Sequence, residues 1–151
     1  MDPQLKLGWR EWCALPDLGI PAIKAKIDTG AKTSALHAFK VDPFIENGVD
    51  MIRFWVHPLQ KNDEFHLECT APIKDQRMVS DSGGHKETRY IIESHVVIGD
   101  KQWMIEMSLT NRDTMRFRML LGRRAMENFA LVDPSASYMN GRVKARGIYG
   151  L

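Results

Sequence analysis

The sequence has few cysteines, little net charge and no long apolar run. Its 151 residues include two cysteines, Cys13 and Cys69, whose spacing matches no metal-binding or redox motif, so we expect a reduced chain stabilised by its own core. The 21 basic and 19 acidic side chains leave a net charge of +2, which gives no reason to expect a nucleic-acid or membrane partner. No stretch approaches the roughly 20 apolar residues of a membrane span.

The N-terminus also lacks the apolar run of a secretory signal. We therefore expect a cytoplasmic protein, or a periplasmic one if a signal peptide has been removed. The length suits a single domain over residues 1–151, with a core over about 8–135 and a basic tail over 136–151. The tail is predicted to be a solvated, partly mobile end; the alternatives are a basic contact surface or a strand in a dimer interface.

Short alternating strands broken by Gly, Pro, Asn and Asp make up most of the chain, which predicts an all-β barrel or sandwich rather than βαβ units. Residues 64–69 alternate as a strand, and residues 99–100 form a Gly-Asp turn that predicts a hairpin. Only residues 122–129 look helical, over about two turns. The apolar side chains predicted to share faces in the strands are Ile52, Phe54 and Val56, then Phe65, Leu67 and Cys69, then Ile105, Met107 and Leu109.

One predicted strand runs directly into Asp28, Thr29 and Gly30. Asp and Gly are depleted in strands, so their position here needs a local reason. A carboxylate on a tight turn after a buried strand is held rigidly, and small neighbours leave room for another group to approach. For these three residues alone, a simple Asx turn is the better explanation. A second feature comes from residues 119–123, where an apolar run closes on Gly122 and Arg123.

Together, "AKIDTGAKTSALHA" and "RFRMLLGRRAM" resemble the retropepsins, aspartic proteases in which the second segment packs beneath the catalytic loop. The hairpin "VVIGDKQWMIEMSL" has a counterpart there, and "MVSDSGGHKETRY" would supply the flap. The blocks "GWREWCALPDLGI", "SLTNRD" and "LVDPS" are similar to a bacterial retropepsin-like family catalogued as ATP-dependent zinc proteases. Some members are encoded beside a ligase that adds glutamates to a ribosomal protein. The resemblance implies an all-β, closed acid-protease barrel with one short C-terminal helix.

The resemblance also implies an aspartic peptidase. Its two carboxylates share a proton and a water: one activates the water, while the other, kept protonated by the repulsion between like charges, donates to the carbonyl oxygen. This chain has one Asp-Thr-Gly and is too short for two lobes. The site would therefore form in a homodimer, with Asp28 from each subunit, and would need no cofactor.

Supporting roles follow from the same resemblance. Thr29 would bond across the dimer axis, and Gly30 would donate its N–H near the carboxylate. The substrate-binding residues would come from the end of the turn and from the flap, namely Ala31, Lys32, Ser82, Gly83, Gly84, Lys86 and Arg89. The loop would be braced by the late segment, namely Leu121, Gly122 and Arg123.

Lys32 departs from the retroviral pattern, in which an acidic residue at this position pairs with the arginine of the late segment. Lys32 and Arg123 are both cations, so that ion pair cannot form. Together with Lys86 and Arg89 they suggest the hypothesis of a preference for Glu-rich peptides, such as a glutamate-tailed protein. The alternative is that Lys32 is solvated or pairs elsewhere.

No sequence motif supports the catalogued name of ATP-dependent zinc protease. "GAKTS" lacks the upstream glycine of a P-loop, and no histidine lies in an H-E-x-x-H motif. In the residual cluster of His57, His66, Glu68 and Cys69, strand alternation places His66 and Cys69 on opposite faces, so we predict no metal site. Two alternative functions remain open. One is a non-catalytic, dimeric peptide-binding adaptor on the same fold, and the other is a zinc-dependent peptidase.

Overall fold

Period-two alternation of apolar residues produces twelve strands in the part of the chain that the computed structural model describes, residues 4–80, 83–111 and 116–151. The all-β prediction is confirmed. No helix of the described residues is long and apolar enough to cross a membrane. The strands are β1 Leu5–Leu7, β2 Arg10–Leu15, β3 Ile20–Asp28, β4 Ser34–His37, β5 Lys40–Glu46, β6 Val49–Val56, β7 Leu67–Pro72, β8 Asp75–Ser80, β9 Lys86–Ile98, β10 Lys101–Thr110, β11 Met119–Gly122 and β12 Ala130–Val132.

The largest sheet has seven strands in the order β10–β4–β11–β3–β2–β9–β8. The 13-residue strand β9 pairs with β8, β2 and β10. Through β9, strand β2 is therefore connected back to β10, the first strand of this order. The side chains on the inner face of these strands form the main core. Among those that are fully buried are Leu15, Ile23, Leu36, Ile92, Met107 and Met119.

A second sheet is formed by β5, β6 and β7, and β1 pairs with β12 as a parallel two-stranded sheet. The predicted alternation in β6 is confirmed, since Ile52, Phe54 and Val56 are fully buried. The prediction for residues 64–69 is only partly right. Regular pairing begins at Leu67, and the Phe65 ring instead contacts the Tyr149 ring edge-on, with centroids 4.9 Å apart.

The hairpin predicted at residues 99–100 joins β9 and β10 as antiparallel neighbours. Gly99 adopts a φ of +60°, a left-handed conformation that glycine tolerates without steric cost. On β10, Ile105, Met107 and Leu109 are buried as predicted.

The helix predicted over residues 122–129 is wrong. Residues Arg123–Ala125 form a single 3₁₀ turn, and Asn128, with a φ of +76°, stops the chain from continuing as a helix before β12 begins. Ala125 and Met126 are buried as the periodicity required, but a turn satisfies that burial as well as a helix does. A helix of so few residues is costly to nucleate. The one α-helix of the described residues, α1, spans Ala145–Ile148.

Most residues of the predicted tail are exposed, as expected, but the tail is anchored to the rest of the chain rather than loose. Residues 136–151, which we call the C-terminal strap, pack on β2 and β3. The N–H of Tyr138 donates to the carbonyl of Arg10 over 3.0 Å, and the Tyr149 hydroxyl bonds the backbone of Ala22. The fully buried carboxylate of Glu11 accepts N–H groups from the strap. The strap therefore belongs to the folded unit.

Candidate active site

Asp28 is the last residue of β3, and its carboxylate is fixed by the turn that follows. One oxygen, Oδ1, accepts the N–H of Gly30 over 3.0 Å, and the N–H of Ala31 donates to the Asp28 carbonyl over 3.3 Å. A β-carbon at position 30 would lie 3.3 Å from that same Oδ1, so glycine leaves the carboxylate uncrowded. Asp28 is half-buried, whereas Thr29 and Gly30 are exposed. The bond of Thr29 across a dimer axis stays a prediction.

Strand β11 lies directly against the Asp28 turn. It runs parallel to β3, with Leu121 opposite Ile27 and Gly122 opposite Asp28. The N–H of Arg123 donates to the Ala31 carbonyl over 2.7 Å. A β-carbon at Gly122 would lie 2.6 Å from the carbonyl carbon of Thr33, which is closer than real contacts allow. Only glycine lets the two segments approach this closely.

A buried serine completes the contact between the loop and β11. The hydroxyl of Ser34, which is 2% exposed, accepts the N–H of Gly122 over 2.9 Å. The carbonyl of Ser34 in turn accepts the Ser108 hydroxyl over 3.4 Å. Ser34 was not predicted as part of the site, although a polar residue that opens a strand otherwise rich in apolar side chains was a visible signal.

A groove with a volume of about 810 Å³ includes Asp28 in its lining. Its floor is a row of directly paired residues across four strands: Leu120, Ala35, Ser108 and Ile91. Residues 30–33 and Arg124 lie on one side, and the strands of the β8–β9 hairpin on the other. Asp28 thus lies beside an open channel large enough for several residues of a peptide.

The predicted flap corresponds to the hairpin of β8 and β9, in which Ser80 lies opposite Lys86. Gly83 and Gly84 are at its turn, and Gly84 has a φ of +82°, whereas Ser82 lies outside the described residues. Arg89 lines the groove. Lys86 lies nearer the tip and is not among the described residues that line it. Closure of this hairpin over a peptide stays a prediction.

The cations of the groove differ in how they are paired. Arg89 is bound by Glu87, and Arg77 bonds Asp75 at 2.8 Å and Glu106 at 3.0 Å. Hydrogen bonds from Lys74 and Arg77 lower the pKa of Glu106, so this carboxylate stays ionised and keeps Arg77 engaged.

Lys32 and Arg124 have no carboxylate within 4 Å among residues 4–80, 83–111 and 116–151. Their backbones are joined by a bond of 3.2 Å from the Arg124 N–H to the Lys32 carbonyl. The ion pair of Lys32 and Arg123 is absent, as their like charges require. Arg124, which sequence analysis missed, lines the groove although its neighbour Arg123 does not.

The other predicted candidates lie elsewhere. His57 stacks on Phe39 with ring centroids 4.1 Å apart, and His66 meets the same ring edge-on. Cys13 and Cys69 are both free and buried. Burial raises the pKa of the Cys69 thiol to about 12 and raises that of Cys13 still further, so neither is an activated nucleophile. In the described part of the chain, no group of three or more His, Cys, Asp or Glu side chains could hold a metal ion.

Comparison with known proteins connects this geometry to a family. A family model described as RimB-like, retropepsin-like aspartic endopeptidase RimB, matches residues 6–143. A crystal structure of a Legionella pneumophila protein of unknown function superposes with a TM-score of 0.75 and 26% identity, covering 91% of this chain and 98% of that one.

Curated relatives carry a different name. A probable alpha-L-glutamate ligase of Shewanella pealeana is 43% identical over 153 residues, which are 99% of this chain and 33% of the relative. One of the same name from Parasynechococcus marenigrum is 46% identical over 144 residues, covering 95% of this chain and 31% of the relative. The chain therefore spans about a third of the length of the curated relatives that it matches.

Proposed function

The chain belongs to the RimB-like family of retropepsin-like aspartic endopeptidases, and on this premise we propose that it hydrolyses peptide bonds in the groove beside Asp28. The observation that supports this most is the way the carboxylate is presented. It ends a buried strand, accepts one N–H at 3.0 Å and lines a groove of about 810 Å³.

The proposed mechanism needs two copies of the chain. Asp28 from each copy would share one proton and hold a water between them. The ionised carboxylate takes a proton from the water as its oxygen attacks the carbonyl carbon, and the protonated partner gives its proton to the carbonyl oxygen. Proton transfer to the amide nitrogen then allows the carbon–nitrogen bond to break. The exposed Thr29 and Gly30 leave room for the second copy to approach.

The charges of the groove support the Glu-rich substrate preference within this proposal. Lys32 and Arg124 line the groove without a carboxylate partner among the described residues, so a carboxylate of the substrate could pair with either. The relatives named glutamate ligases are about three times as long as the chain. Their name is consistent with a glutamate-tailed protein as the target, and we extend it to this chain only as part of the proposal.

The test is cleavage of a peptide library by the wild type and by Asp28→Asn, between about pH 3 and pH 8. Asn has the shape of Asp but cannot serve as a base, so activity should fall by about 10³-fold or more, whereas the control Asp42→Asn on β5 should keep it. A chelator should have no effect. Loss of cleavage with chelator would favour the zinc-dependent peptidase. An intact dimer that binds peptides without cleaving them would favour the adaptor.

A further inference from the structure

A face of the molecule that the groove does not use carries six cations. In the pairing of β2 with β3, Arg10 lies opposite Lys26 and Trp12 lies opposite Lys24, and residues opposite each other point to the same side of a sheet. Their neighbours Glu11 and Cys13 point inward and are buried. The strap crosses the same outer side and adds three more cations. We call this surface the basic face: Arg10, Lys24, Lys26, Arg142, Lys144 and Arg146.

Three of these cations surround one aromatic ring. The guanidinium carbons of Arg10 and Arg142 lie 4.8 Å and 4.5 Å from the centre of the Tyr138 ring, and the Lys24 ammonium lies 5.7 Å from it. Because all three charges lie within 5.7 Å of one ring centre, they are also close to one another. Tyr138 itself has a φ of +53°, which is unusual for a bulky residue. Such strain is characteristic of functional sites.

The described residues place no compensating charge beside the basic face. None of its six cations has a carboxylate within 4 Å among the described residues. Glu11 lies on the opposite side of β2, and its oxygens are occupied by four N–H groups, one from Gly8, one from Met139 and two from Asn140. Like charges gathered this closely repel one another, so an anion bound here would be favoured.

The basic face is continuous with the groove. Lys26 pairs directly with Leu120 on β11, and Leu120 begins the row of paired residues that forms the groove floor. Reading across the sheet, Arg10 and Lys26 therefore extend the same row on the same side. A chain that leaves the groove along this row passes onto the basic face.

The aromatic rings indicate which anion fits. Binding of single-stranded nucleic acid uses exposed rings on which bases stack. Here Tyr138 is 7% exposed, and the Lys24 ammonium lies 5.2 Å from the centre of the half-buried Trp12 ring. A cavity of about 370 Å³ lined by Trp12, Lys24, Lys144 and Arg146 has room for carboxylate side chains. The arrangement favours a peptide rich in Asp or Glu over a nucleic acid.

We propose that the basic face is a second binding site, which holds the acidic extension of a peptide whose other residues occupy the groove. Its route through the groove rests on the proposed function, whereas its affinity for an acidic peptide does not. Binding can therefore be tested without catalysis, in the full chain carrying Asp28→Asn.

The experiment measures the binding of fluorescein-labelled decaglutamate by fluorescence anisotropy at low ionic strength. Neutralising Lys24→Gln and Arg142→Gln together should weaken binding by about tenfold, and added salt should reduce the difference. The matched control is Lys40→Gln with Lys101→Gln, which removes the same charge elsewhere. It also removes an ammonium that lies over a tryptophan ring, since Lys40 is 4.8 Å from the centre of Trp55.

Three results would overturn the proposal. Equal weakening by the control pair would mean that only net charge matters. Weakening only by Lys32→Gln with Arg124→Gln would place decaglutamate in the groove. Tighter binding of a single-stranded RNA of similar charge would assign the face to nucleic acid. All of these binding measurements use the Asp28→Asn chain. Their outcome would therefore be the same if the wild type had no peptidase activity.

Discussion

Two carboxylates on neighbouring strands have opposite environments. Glu11 on β2 is fully buried and accepts four N–H groups, at 2.7 to 3.3 Å. Asp28 on β3 is half-buried and accepts one N–H, from Gly30. An ionised carboxylate has about four acceptor positions. Those of Glu11 are filled, whereas Asp28 accepts a single N–H from the described residues, so its other positions are left for a ligand. Glu11 therefore joins β2 to the C-terminal strap, whereas Asp28 is available to a ligand.

The largest expected effect concerns the acid that is presented. Asp28→Asn should reduce peptidase activity by about 10³-fold or more while leaving the free energy of unfolding within about 0.5 kcal/mol of the wild type. The physical reason is that one exposed hydrogen bond contributes little to folding. Urea denaturation and peptide cleavage measured on the same preparations test both halves. A large loss of stability would show that Asp28 is structural, like Glu11.

The converse is expected for the acid that is buried. Glu11→Ala leaves four N–H groups without an acceptor and should lower the free energy of unfolding by about 3 kcal/mol or more. Glu11→Gln keeps one acceptor oxygen and should cost less. Urea denaturation measures both, and proteolysis of the strap should accelerate in the same order. Wild-type stability in Glu11→Ala would contradict the distinction between the two acids.

Gly122→Ala tests whether the close approach of β11 holds Asp28 in place. The added carbon would meet Thr33 at 2.6 Å, so we expect a loss of about 1–3 kcal/mol in stability and a lower kcat. The matched control is Gly147→Ala in α1, where a β-carbon would meet nothing within 4 Å. Equal effects of the two substitutions on kcat would mean that the close contact of β11 with the Asp28 turn does not contribute to catalysis.

The sequence predicts the region around Asp28 better than the region where Glu11 holds the strap. The Asp28 turn, the β11 segment and the hairpins were predictable because each is written in a short stretch, by strand alternation followed by glycine. The strap was not, because its anchoring joins Met139 to Glu11, which are 128 residues apart in the chain. One signal was present: in "REWCAL" a charged residue occupies an inward position beside Cys13 and Leu15. The helix at residues 122–129 failed because burial alone does not distinguish a helix from a turn.

A smaller effect is expected from the cations beside Asp28. Lys32→Gln with Arg124→Gln should raise the KM for acidic peptides by about fivefold and leave neutral peptides unchanged, since exposed charges contribute at most about 1 kcal/mol each. The control is Lys40→Gln with Lys101→Gln. A uniform change for both classes of peptide would show that the pair shapes the groove rather than selects charge.

The smallest effect concerns the other end of the strap, where the Tyr149 hydroxyl bonds the backbone of Ala22. Tyr149→Phe should cost about 1 kcal/mol near neutral pH, the usual contribution of one hydrogen bond, whereas Tyr90→Phe serves as the control for loss of a hydroxyl.

The pH dependence of the unfolding free energy tests whether the Tyr149 hydroxyl is buried in the folded chain. Burial raises the pKa of Tyr149 above its ordinary value of 10.0, so near and above that value the unfolded chain loses the phenol proton before the folded one does. The stabilisation is therefore complete below pH 10 and is lost as the pH rises through the folded pKa. The difference in unfolding free energy between wild type and Tyr149→Phe should shrink as the pH rises above about 10. A difference that stays constant would mean that folding does not remove the Tyr149 hydroxyl from water.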